Sequence, residues 1–162
     1  MSIEKKHILI IDDELEIRTV IQEILSEEGY STEIAESALE AETKITNRMP
    51  DLVFLDIWMP DIDGISLLKK WSQENTMTSP VIMISGHATI ETAIEATKLG
   101  AVDFIEKPIS MEKLFNALNG AFSFTESIEN EDILSYILRK SKTMSDIFNA
   151  TLGDSRSKNK LF

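Results

Sequence analysis

Five side chains in this sequence belong to types that do chemistry together: Asp12, Asp13, Asp56, Ser85 and Lys107. Each stands at the end of a short apolar run. HILII (7–11) leads to Asp12-Asp13, LVFL (52–55) to Asp56, VIMI (81–84) to Ser85, and AVDFI (101–105) to Lys107-Pro108. Three converging carboxylates repel one another, and a hard divalent cation relieves that repulsion. Mg²⁺ suits the task, because it prefers oxygen ligands, keeps several waters and is commonly shared with a phosphate. A carboxylate is also a nucleophile that can form an aspartyl phosphate. Phosphoryl transfer spreads charge over three equatorial oxygens, so a protein contributes mainly position and neutralising charge. The cation, the Lys107 ammonium and the Ser85 hydroxyl would each meet one oxygen.

The elements between these residues alternate in period. His7–Ile11 reads as a strand, and Glu14–Glu28 as a helix with Ile17, Val20, Ile21, Ile24 and Leu25 on one stripe, stopped by Gly29. Ser31–Ala35 reads as a second strand and Ala38–Asn47 as a helix with Ala38, Ala41 and Ile45 inward. Leu52–Leu55 is the third strand, followed by a helix over Gly64–Gln73 that buries Ile65, Leu68 and Trp71. Val81–Ile84 is the fourth strand, with a helix over Thr89–Lys98 ended by Gly100. Ala101–Ile105 is the fifth, and Ser110 caps a last helix carrying Met111, Leu114, Phe115, Leu118 and Phe122. Five strands alternating with five helices predict an α/β fold with a doubly wound parallel sheet. Nearly continuous apolar strands fit a sheet covered on both faces. In such a sheet ligands bind at the carboxyl ends of the strands, which is where the five reactive residues fall.

Four segments, IIDDE (10–14), LDIWMPDIDG (55–64), ISGHA (84–88) and FIEKP (104–108), resemble the four motifs of response-regulator receiver domains. The resemblance covers residues 7–124, and its wording is nearest to receivers of the NtrC and NtrX type. It implies a flavodoxin-like receiver fold with Asp56 as phosphoacceptor and Mg²⁺ as cofactor. Asp13 would be the direct metal ligand, Asp12 would act largely through water, and the backbone carbonyl of Trp58 would complete the protein's share of the shell. Lys107 would pair with the phosphoryl group, Ser85 would be the switch hydroxyl, and Phe104 the switch aromatic in place of the more usual tyrosine or histidine. Gly86 leaves room for the phosphate, and Trp58 and His87 would shape access for water. The Lys107-Pro108 bond would be cis. The implied partner is a sensor histidine kinase, with a homodimer through the fourth helix, fifth strand and fifth helix. Asp61 and Asp63 read as serving the turn before Gly64, and Glu14 as favouring the first turn of its helix with a minor role near the metal.

Bulk properties agree. The net charge of -12 is concentrated in residues 1–124, which hold 22 acidic and 10 basic side chains. An acidic domain of this kind does not bind nucleic acid by counterion release. The absence of cysteine removes disulfides, thiolate metal sites and thiol nucleophiles. No apolar run approaches a membrane span and the start lacks a signal-peptide apolar region, so a soluble, cytoplasmic protein is expected. An acidic linker is expected over 125–132. A C-terminal helix over Ile133–Leu152 and a disordered tail follow, the remnant or start of an output domain. Leu138–Ile147 faintly resembles the beginning of the ATPase domain of NtrC-type regulators, without its glycine. GDSRSKNK (153–160) is no phosphate loop.

Two other readings compete with a signalling domain that is not an enzyme beyond slow self-dephosphorylation. A phosphatase of the haloacid-dehalogenase type also uses an aspartyl nucleophile, but needs an acid two residues later, where this chain has Trp58. A degenerate receiver would bind partners without taking phosphate, and the complete set of acids, lysine and hydroxyl argues against it.

Overall fold

The computed structural model describes residues 5–87 and 89–130, with side chains through Ser123. The chain divides into two compact units, 1–121 and 122–162, and the sheet lies wholly in the first. The elements are β1 (His7–Ile11), α1 (Leu15–Glu27), β2 (Ser31–Ala35), α2 (Ala38–Asn47) and β3 (Leu52–Asp56). After these come α3 (Gly64–Glu74), β4 (Val81–Ser85), α4 (Ile90–Lys98), β5 (Asp103–Glu106) and α5 (Met111–Asn130). All strand pairs are parallel, in the order β2-β1-β3-β4-β5. The order reverses between β1 and β3. Right-handed crossovers therefore put α1 on one face and α2, α3 and α4 on the other.

Side-chain alternation supplies both cores. Leu9, Ile11, Val53, Leu55, Val81 and Met83 face the second side, where Ala38 and Ala41 of α2, Leu67, Leu68 and Trp71 of α3, and Ala96 of α4 complete one cluster. The alternate residues Ile8, Ile10, Leu52, Phe54, Ile82 and Ile84 are equally buried, as are Ile21 and Leu25 of α1 and Leu114 and Leu118 of α5. Burying such strands on both faces fixes the register, since a one-residue slip would exchange the two cores.

Helix ends explain most boundaries. Gly29 and Gly100 both take positive φ, +92° and +108°. Each closes a Schellman motif: Tyr30 N–H donates to the Leu25 carbonyl and Gly29 N–H to Ser26, while Ala101 N–H donates to Ala96 and Gly100 N–H to Thr97. The second motif holds Ala101 in the helix stop, so β5 begins at Asp103 rather than at Ala101 as its apolar residues suggest. Val20 also departs from its expected place on the inward stripe of α1. It is 42% exposed, while Arg18, at 7%, takes a buried position. Finally, α5 continues through Asn130, into the stretch read as a linker. No proline or glycine follows Gly120 there to stop it. The readings made for residues 131–162 lie outside the described residues. Among the described residues, no helix is long and apolar enough to cross a membrane.

Candidate functional site

The switch in strand order brings the ends of β1 and β3 side by side, and with them the acids. Asp12 follows β1 and is fully buried, Asp56 ends β3 and is 2% exposed, and Asp13 is exposed. One carboxylate oxygen from each lies within 4.8 Å of the others. Lys107 arrives from the end of β5. Its Nζ lies 3.1 Å from Asp12 Oδ2, 3.5 Å from Asp56 Oδ1 and 2.7 Å from Glu14 Oε1. Glu14 thus differs from its expected role. It occupies the N-cap of α1 without a side-chain cap bond, and its carboxylate holds the lysine.

Ser85, at the end of β4, is fully buried. Its Oγ accepts the His87 N–H at 3.1 Å, and its carbonyl accepts the Lys107 N–H at 2.7 Å. Gly86 and His87 are exposed. A Cβ added at Gly86 would meet only the Lys107 side chain, at 3.7 Å. Trp58 is 61% exposed beside the site. Phe104 is half-buried and packs against the core cluster, opposite Met83 in the sheet register. The Lys107-Pro108 bond is cis.

One ammonium does not neutralise three carboxylates. Burial pushes the Asp56 carboxyl up to about 7, the charges of Asp12 and Asp13 add to the rise, and Lys107 opposes it without prevailing. Asp12 is raised as well, by burial first; the Glu14 N–H and Lys107 offset part of this. For Lys107 burial favours the neutral form, but its hydrogen bond to Glu14 and the charges of Asp12 and Asp56 outweigh it and raise its pKa. The acid cluster also leaves a buried oxygen, Asp12 Oδ2, without a well-directed hydrogen bond, with the Lys107 ammonium 3.1 Å away. Hard oxygen donors, excess negative charge and an unfilled buried lone pair fit a divalent cation such as Mg²⁺.

The loops around the cluster are held from the β2 side. The Asp12 N–H donates to the Ala35 carbonyl, and the Glu14 N–H to Asp12 Oδ1 at 2.8 Å. Arg18 Nη1 donates to the Asp12 carbonyl at 2.7 Å. Sequence reasoning missed this residue, although its spacing to the buried Ile21 and Leu25 (i, i+3, i+7) was a signal. It also placed Asp61 in the wrong element. Asp63 does cap the turn into α3, accepting from Ser66 N–H and Oγ. Asp61 instead reaches back to α2, accepting the Ala38 and Leu39 N–H groups at 3.1 and 3.0 Å. Despite some burial, these bonds hold its carboxyl below the usual range. With Ser37 accepting from Glu40 N–H, the first turn of α2 is satisfied and the loop after Asp56 is tied to it. Asp61→Ala should cost about 1 kcal/mol, read as an earlier urea midpoint; an unchanged midpoint would show that water replaces the cap.

Comparison with known proteins agrees with this geometry. The family model for the response regulator receiver domain matches residues 8–119. The nitrogen assimilation regulatory protein NtrX of Azorhizobium caulinodans is 48% identical over 109 residues, 66% of this chain and 24% of that protein. An NtrX-like response regulator of Rickettsia bellii is 37% identical over 142 residues, 86% of this chain and 30% of its own length. This chain thus spans less than a third of either relative. The crystal structure of the NtrX receiver domain from Brucella abortus superposes with a TM-score of 0.66 at 44% identity, covering 72% of this chain and 98% of that one. The carboxyl-edge acid cluster, the β2-β1-β3-β4-β5 sheet and these similarities agree: the chain belongs to the response regulator receiver family of two-component signalling.

Proposed function

We propose that Asp56 is the phosphoacceptor of this receiver, loaded by a sensor histidine kinase. The observation that carries the reading is the buried convergence of Asp12, Asp56, Lys107 and Ser85 at one sheet edge, with Asp13 beside them. A carboxylate oxygen of Asp56 attacks phosphorus, the donor's P–N bond breaks, and its electron pair returns to the imidazole nitrogen, which takes a proton from solvent. Asp12, Asp13, Asp56 and the Trp58 carbonyl would hold Mg²⁺, which supplies positive charge to the transferring oxygens. Lys107, released from Glu14, pairs with one phosphoryl oxygen. Ser85 gives up the His87 N–H and donates to another. Gly86 leaves that space open, and Trp58 and His87 screen it from water.

The phosphoryl group adds a charge of about -2 at neutral pH. Movement of Ser85 toward it draws the loop before α4, and Phe104 changes rotamer. This shifts the population between two states of the face formed by α4, β5 and α5. That face exposes Ile90 (81%), Ile94, Val102 and Met111, which supports a homodimer there. The proposed setting is the cytoplasm and, as the names of the relatives suggest, a regulatory pathway, with no direct nucleic-acid contact by this chain and no turnover beyond slow self-dephosphorylation.

The test is to incubate the protein with Mg²⁺ and beryllofluoride, following tryptophan emission and size-exclusion elution, with Asp56→Asn as control. Trp71 is buried in the core, so a change reports Trp58. A Mg²⁺-dependent change absent from the variant is expected. Acid-labile phosphate forming on Asp56→Asn at the normal rate would overturn the assignment. Steady release of phosphate from esters would instead favour the phosphatase reading.

A further inference from the structure

Arg18 is a buried cation that the proposed chemistry does not use. It lies on α1 at 7% exposure. Its Nη1 donates to the Asp12 carbonyl at 2.7 Å, its Nη2 stands 3.7 Å from a largely exposed Glu36 carboxylate, and its buried Nε has no hydrogen-bond partner. Burying a guanidinium with so little compensation is unfavourable for folding alone, and an apolar residue on this stripe would be the simpler solution. The position of its one strong bond accounts for it. The Asp12 carbonyl belongs to the peptide that joins Asp12 to Asp13. Its direction sets the plane of that peptide and hence the placement of Asp13 relative to Asp12. The Asp12 carboxylate has its own fixings, the Glu14 N–H and Lys107. The Asp13 side chain is exposed and has no hydrogen bond or ion pair among the described residues, so the backbone alone aims it.

We propose that Arg18 is a positioning residue of the phosphoacceptor site: its guanidinium orients the Asp12-Asp13 peptide and so fixes the two carboxylates at the separation a divalent cation needs. It touches neither cation nor phosphoryl group. The inference rests on the metal-dependent phosphoacceptor reading above. It extends to a charged donor on the neighbouring helix the general rule that groups orienting metal ligands tune metal affinity, their loss typically costing about 10- to 100-fold.

The experiment is a Mg²⁺ titration of the wild-type protein, Arg18→Met, Arg18→Lys and Glu36→Gln by tryptophan emission, with thermal midpoints measured in parallel without Mg²⁺. Arg18→Met keeps the buried hydrocarbon but not the donor, and should bind Mg²⁺ about tenfold more weakly or worse. Arg18→Lys, with one donor and the charge, should recover most of that loss, and Glu36→Gln should bind as wild type. If Arg18→Met is destabilised yet binds Mg²⁺ normally, Arg18 is only structural and the proposal is wrong. Should Arg18→Met not fold, Arg18→Gln carries the same two outcomes, keeping polarity with a shorter reach. Failure of the wild type itself to bind Mg²⁺ would overturn the phosphoacceptor reading, and this one with it.

Discussion

Asp56→Asn should make the Mg²⁺-free domain more stable at pH 8, although it removes the proposed phosphoacceptor. The carboxyl is raised from an ordinary 3.8 to about 7 by burial and by Asp12, with Asp13 adding to the rise against Lys107. The folded state therefore holds its proton more tightly than the unfolded chain does. For such an acid, stability falls as pH rises, here between about 4 and about 7, and the whole deficit is present above that window. Its size is about 4 kcal/mol if the side chain bears it alone, and less if the site relaxes. Asparagine fills the same volume without charge, leaving Lys107 to Asp12 and Glu14. The melting temperature of Asp56→Asn at pH 8 should exceed that of the wild type by roughly 10 °C, and the gap should close toward pH 4. Saturating Mg²⁺ should stabilise the wild type far more than the variant, as expected of a cation that would be held by the folded acid cluster. A variant less stable than the wild type at pH 8 without metal would mean that Lys107 already compensates the cluster.

Gly64→Ala should be the most damaging small substitution in the loop after Asp56. Gly64 opens α3, its N–H donates to the Ile57 carbonyl at 2.6 Å, and its Cα faces the backbone at the end of β3. A Cβ there would lie 2.1 Å from the Asp56 carbonyl oxygen, 3.0 Å from its carbon and 3.0 Å from Ile57 Cα. These are main-chain atoms, so no side-chain rotation relieves the overlap. Either α3 or the strand end must move, at a cost of about 2 to 4 kcal/mol. The shift falls on Asp56, the proposed phosphoacceptor, so beryllofluoride binding should weaken along with stability. Gly86→Ala is the matched control. Its Cβ would meet only a lysine methylene at 3.7 Å, and it should melt within about 0.5 kcal/mol of the wild type. Equal midpoints for the two variants would show that the loop before α3 yields easily.

The strands and the acids were legible because both rest on patterns the chain repeats. Burial on both faces makes β1, β3 and β4 nearly unbroken apolar runs, the edge strands β2 and β5 are partly exposed, and all five were found as strands. Most of the ends that moved did so by one residue, and the two-residue shift at the start of β5 has a local reason: the Schellman motif at Gly100 draws Ala101 into the helix stop. Residue types that attract a cation are few, so the convergence of Asp12, Asp13 and Asp56 followed from topology alone. Pairings across the fold were not legible. Nothing in the sequence says that Glu14 turns to Lys107, 93 residues away, rather than to its own helix. Nor does it say that Asp61 caps α2 rather than its own turn, or that Gly64 is required by contact with Asp56 rather than by a turn. Arg18 was hidden by type. A charged residue beside a good apolar stripe is ordinarily solvated, and here Val20 was given the place that Arg18 partly fills.

The crowding of carboxylates at the sheet edge has a consequence for how such a chain changes over generations. Burial and the neighbouring acids set the Asp56 charge against folding at neutral pH. A lineage that no longer transferred phosphate would lose no stability on replacing that aspartate, and would gain some. Drift would then run toward amides and apolar residues at 12 and 56, leaving the lysine to Glu14. Asp12, Asp13, Asp56 and Lys107 together make an arrangement that the proposed phosphoacceptor chemistry, rather than folding, would reward.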